Sequence, residues 1–182
     1  MMNIKLFHEA FEDTATNLQM MEAFRSPDEI GSVLRMHLYL ERVIEAWVSA
    51  ATDNPKVFSS QSNSFFTFSV KLEIAKNFDL PSDLYTATKM INKLRNDFSH
   101  KIHKKIEDIE IRNIEDALKK VKHHKDLSAL TDLTLESGAN KYPYKECDNR
   151  LKFCIICNYI IINLNHHTLA KAGISVPAGF KN

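Results

Sequence analysis

Residues that reverse the chain are scarce here: four glycines and five prolines in 182 positions. A β-sandwich or barrel needs a turn about every 8–12 residues, and Gly and Pro supply most of the backbone geometries that such turns require. The apolar pattern agrees with that exclusion. No segment sustains period-two alternation, whereas Leu84, Ala87, Thr88, Ile91, Leu94 and Phe98 recur at i, i+3, i+4 and i+7, the stripe of an amphipathic helix. The fold class read from this is all-α, a helical bundle formed as a single domain over 1–182.

Other helices follow from the same spacing. Leu6, Phe7, Ala10, Phe11, Leu18 and Met21 predict one over about 4–24. Ser26-Pro27-Asp28-Glu29 reads as a helix start, with Ser26 as cap, Pro27 in the first turn and Glu29 closing a capping box. The helix it opens runs to about Ala51, where Asp53-Asn54-Pro55 ends it. Residues 52–64 read as a loop, and a further helix is predicted over about 65–78. Ile106, Ile109, Ile114, Ala117, Leu118 and Val121 place another over 106–122. Residues 126–150 are weakly patterned, with Gly138 and Pro143 marking a loop. A last helix, about 148–172, is apolar on nearly every side between Phe153 and Leu164, as a central core helix or a partner-facing one would be. The run FCIICNYIIINL is too short and too interrupted by Asn to span a membrane. The N-terminal segment MMNIKLFHEAFEDT carries acidic residues where a secretory signal would be apolar, so a cytoplasmic protein with reduced thiols is expected.

Lys and Arg total 24 against 23 Asp and Glu, so no global charge points to nucleic acid. Local clusters do. Lys101, His103, Lys104 and Lys105 follow one short motif, and Lys119, Lys120, Lys122, His123, His124 and Lys125 form a second group. Such clusters concentrate RNA phosphates, although interleaved Glu107, Asp108, Glu110, Glu115 and Asp116 also fit an ordinary charged helix face.

The motif itself is Arg95-Asn96-Asp97-Phe98-Ser99-His100. Arg95 falls on the apolar stripe, where a guanidinium is costly without a carboxylate partner or a cleft. Asn96 and His100 share a face; Arg95 and His100 diverge by about 140° with about 7.5 Å of rise on an ideal helix. They converge if the helix loosens near Ser99 or if two copies meet across a two-fold axis. Arg suits bidentate phosphate binding and His suits proton transfer near neutral pH, a combination fit for phosphodiester chemistry. The plain alternative is a helix-end Arg paired with a carboxylate, an Asn cap and a solvated His. Glu41, four residues after His37 on the second long helix, pairs with that histidine or supplies the carboxylate for Arg95.

Arg95-Asn96-x-x-x-His100 resembles the R-N-x-x-x-H signature of the HEPN superfamily of helical-bundle proteins. Phe66 to Ala75, with Lys71 and Leu72, then Leu84-Tyr85 and Ile91 to His100, is similar to its mannitol-operon-repressor-like branch, over about residues 33–103. The resemblance implies a HEPN-like four-helix core (26–125) with a C-terminal extension (126–182). It implies a homodimer whose paired motifs face each other in a basic cleft, and metal-independent RNA cleavage by 2′-OH attack. Arg95 would bind the phosphate, His100 would act as general base or acid, and Asn96 would orient the phosphate or His100; Glu41 and Asp97 are the candidate supporting residues beside them. RNA would be the substrate, a cognate antitoxin or regulator protein a partner, and stress response or phage defence the setting, with no metal, cofactor or membrane involved. Ile102 stands where toxins controlled by a nucleotidyltransferase carry Tyr. The repressor-like branch is described as regulatory, so the alternatives are a non-catalytic transcriptional regulator or interaction module, and a purely structural adaptor. A helix-turn-helix recognition helix is not evident.

Cys147, Cys154 and Cys157 with His166 and His167 raise a zinc reading, but Cys154 and Cys157 lie within an apolar helical run, where buried free thiols are usual. Trp47 and Phe65, Phe66 and Phe68 read as core or dimer interface rather than base-stacking groups.

Overall fold

The computed structural model describes residues 2–11, 14–58, 66–101, 103–119, 129–137 and 140–174. Seven α-helices account for most of them: α1 (Ile4–Phe11), α2 (Thr14–Arg25), α3 (Glu29–Thr52), α4 (Phe68–Asn77), α5 (Ser82–His100), α6 (Asp108–Leu118) and α7 (Asn149–Lys171). The protein is an all-α bundle. α3 is its axis, packing against α1, α2, α4, α5 and α7. That position explains why Val33, Met36, Leu40, Ile44, Trp47 and Val48 are all fully enclosed. The closed environment of Trp47 leaves it no role in base stacking or at an interface.

α7 is the second inner helix. Between Phe153 and Leu164 only Asn158 and Ile162 escape full burial, because α3, α6, α1, α2 and α5 surround it. The apolar character on all sides is that of a core helix, and the C-terminal segment completes the core around α3.

Several boundaries differ from the sequence expectation for local reasons. The first predicted helix corresponds to α1 and α2, and residues 12 and 13 between them lie outside the described residues. At α3 the cap is Asp28: its carboxylate accepts the backbone N–H groups of Ile30 (3.2 Å) and Gly31 (2.9 Å), while Ser26 Oγ accepts only from Asp28 N (3.1 Å). Glu29 therefore closes no capping box; it reaches across the bundle instead. α4 begins at Phe68 behind a Thr67 cap, and the predicted start at Ser64 and Phe65 lies outside the described residues. The region read as a loop contains a small antiparallel hairpin, β1 (Thr134–Ser137) and β2 (Asn140–Pro143), with Leu135 opposite Tyr142 and Glu136 opposite Lys141. Four-residue strands rich in Glu, Asn, Lys and Pro carry almost no alternating apolar signal, which is why this segment reads as a loop in the sequence. Among the described residues no helix is long and apolar enough to cross a membrane.

Candidate functional site

The motif occupies the last two turns of α5. Leu84, Ala87, Ile91, Leu94 and Phe98 are buried and fix the rotation of the helix. The helix stays regular to its end: Ser99 Oγ donates to Arg95 O (3.2 Å) and Lys101 N to Asp97 O (3.0 Å). No loosening occurs near Ser99, so within one chain Arg95 and His100 keep an angular separation of about 140°.

Arg95 is half-buried, and its Nη1 donates to Asn96 Oδ1 at 3.2 Å. Among the described residues no carboxylate forms an ion pair with it. Glu41 in particular is taken: Lys71 Nζ on α4 lies 2.6 Å from Glu41 Oε1 and also contacts Glu45 Oε1. Glu41, expected to support Arg95, is instead paired with Lys71. Burial works against the Lys71 ammonium, but the hydrogen bonds and charges of Glu41 and Glu45 outweigh it and raise its pKa. Asp97 is half-buried and sits 3.7 Å from Lys101, a weak i,i+4 pair.

His37 is buried at 3% exposure and bonds not to Glu41 but to Asn92, its Nε2 lying 3.0 Å from Asn92 Oδ1. Asn92 Nδ2 in turn donates to Ser69 Oγ at 2.9 Å. The amide orientation that serves Ser69 directs the Asn92 oxygen at His37, so the imidazole carries its hydrogen on Nε2. Burial depresses the His37 pKa below 6.5; the Asn92 bond and the Glu41 charge act the other way, and the nearby Arg95 charge adds to the depression. Phe68 packs edge-on against the ring. Sequence reasoning passed over Asn92 and Ser69. The available signal was an amide three residues before Arg95 on the buried side of α5, beside its apolar stripe.

His100, Lys101, His103 and Lys105 are exposed, as is Asn96. Lys104 differs. It folds onto the first turn of α6, 3.1 Å from Glu107 and 2.7 Å from Glu110, with its side chain only 7% exposed. Lys119 pairs with Asp116 at 2.8 Å; Ile102, Lys120, Lys122, His123, His124 and Lys125 lie outside the described residues. The segment after the motif is tied down from two sides. Glu29 Oε1 accepts Ile106 N (2.7 Å), and Asn149 Nδ2 donates to Ile106 O (3.0 Å) and Asp108 Oδ1 (2.7 Å). These bonds join the start of α3 and the start of α7 to the chain leaving α5. On the other flank of α5, a cleft of about 200 Å³ is lined by Met90, Lys93, Leu94, Asp97, Glu110, Asn113 and Ile114.

Cys154 and Cys157 are enclosed within α7; burial pushes the Cys154 thiol up to about 12 and raises Cys157 as well, the reverse of a metal-binding thiolate. Among the described residues no group of three or more His, Cys, Asp or Glu side chains is placed to hold a metal ion. No protein-family model, no curated protein and no solved structure matches this chain.

Proposed function

We propose that this protein is a homodimeric, metal-independent endoribonuclease of HEPN type. The reading is carried by one observation: a half-buried guanidinium, Arg95, whose partner is a neutral amide rather than a carboxylate, on the same two helical turns as an exposed imidazole, His100. An uncompensated, partly desolvated guanidinium favours an anion, and its planar fork matches two phosphate oxygens. Lys101, His103 and Lys105 add exposed positive or protonatable groups beside it. Because Arg95 and His100 of one chain diverge, a second copy brings complementary groups to a single phosphate.

In the reaction the ribose 2′-OH attacks the adjacent phosphorus and the bond to the 5′-oxygen breaks. One His100 accepts the 2′-OH proton, and a proton returns to the departing 5′-oxygen, from the same imidazole or its counterpart. Arg95 stabilises charge on the non-bridging oxygens, and Asn96 orients the guanidinium. The products are a 2′,3′-cyclic phosphate and a 5′-hydroxyl. The test is incubation of the purified protein with mixed RNAs in EDTA, beside Arg95→Ala and His100→Ala. Cleavage that survives EDTA and is lost in both folded variants supports the reading.

A non-catalytic regulatory or interaction module of the repressor-like kind is the second reading. It is favoured by Lys104, which stabilises α6 instead of facing solvent. Absence of RNA cleavage by the wild-type dimer selects it.

A further inference from the structure

One chain of polar groups, buried at His37 and Asn92 and reaching the surface at Ser69, passes beside the motif. His37, Asn92 and Thr88 are each at most 9% exposed, and His37, Asn92 and Ser69 are hydrogen-bonded in series from α3 through α5 to α4. Apolar side chains of similar shape would fill such a seam at little or no loss of stability, since a buried polar pair contributes modestly and is costly when incomplete. On α5 the polar side is local. Leu84, Ala87, Ile91, Leu94 and Phe98 carry the packing, whereas Thr88 and Asn92 precede Arg95 along one edge of that stripe. Asn92 stands one turn, about 4.5 Å of rise, before Arg95.

We infer that His37 and Asn92 are positioning residues for Arg95: their hydrogen bond, anchored at Ser69, ties α5 to α3 and α4 one turn before Arg95 and so holds the half-buried guanidinium in place. The purpose of this placement rests on the ribonuclease reading; the placement itself does not. His37 contributes a single N–H donor to Asn92, a role a glutamine amide reproduces and a leucine does not.

The test compares wild type, His37→Leu, His37→Gln and Ser69→Ala, each checked for helical content and oligomeric state. It uses the heteronuclear NOE of the Arg95 Nε–H group as a readout independent of activity. The NOE falls in His37→Leu and is retained in His37→Gln. Ser69→Ala, at an exposed position that leaves the packing intact, shows a smaller fall and remains informative if the leucine variant does not fold. In the cleavage assay kcat falls by about tenfold or more in His37→Leu with a smaller change in KM, and His37→Gln restores it. An NOE unchanged in the folded leucine variant, or unchanged in Ser69→Ala where the leucine variant is unfolded, overturns the inference. So does an NOE lost equally in leucine and glutamine variants, since that reports packing alone. An inactive wild type removes the ribonuclease reading and leaves the NOE comparison to decide this one.

Discussion

Lys71 Nζ stands 2.6 Å from Glu41 Oε1 across the α3–α4 contact, and the same ammonium also engages Glu45. The lysine side chain is 10% exposed, so its ammonium is largely desolvated and depends on the two carboxylates. Lys71→Met leaves two carboxylates facing each other without a cation. A loss on the order of 1–3 kcal/mol is expected, below the cost of breaking a fully buried pair because both glutamates keep contact with water. Urea denaturation of Lys71→Met, Glu41→Gln and the double variant measures this. A double variant more stable than Lys71→Met alone shows that the stranded charge is what costs.

The α3 cap provides a sharp comparison between neighbours. Asp28→Ala removes the acceptor of two backbone N–H groups and is expected to cost about 1 kcal/mol. Ser26→Ala removes a single exposed bond to the Asp28 amide and should change stability by no more than a few tenths of that figure. Equal effects in thermal melts would place the cap at Ser26 after all.

His37 makes stability depend on pH with a defined sign. Burial lowers its folded-state pKa below the unfolded value of 6.5, so the unfolded chain binds the proton more readily. Its neutral form costs nothing above pH 6.5. Stability then declines as pH falls below 6.5 and the decline is complete only below the folded-state pKa. The Glu41 charge limits the effect and the Arg95 charge enlarges it. Melting temperatures of wild type and His37→Gln should therefore converge above pH 7 and separate toward pH 5, with wild type losing more. A constant offset across that range would contradict this.

The exposed and folded-in lysines after the motif should behave differently toward RNA. Lys101→Ala and Lys105→Ala each reduce the slope of log affinity against log salt by about 0.7 if the side chain neutralises one phosphate of a single strand. Lys104→Ala leaves that slope alone and lowers the melting temperature, because its charge is spent on Glu107 and Glu110. Salt titrations by fluorescence anisotropy, with melts alongside, separate the two behaviours.

Much of this protein is legible in the order of its residues. The apolar stripe on α5, the enclosed run in α7 and the shortage of turn residues determine an all-α bundle, since the 3.6-residue period and chain entropy act locally. The Arg95, Asn96 and His100 cluster is visible for the same reason: it is contiguous. What only the tertiary structure decided is which polar groups meet. Glu41 faces Lys71 rather than Arg95, His37 faces Asn92 rather than Glu41, and Glu29 crosses to Ile106 instead of capping its own helix. Each outcome depends on the relative rotation and height of two packed helices, set by many apolar contacts at once. A shift of one residue turns a side chain by about 100°, so spacing along the chain names the candidates for a polar pair and leaves packing to choose between them.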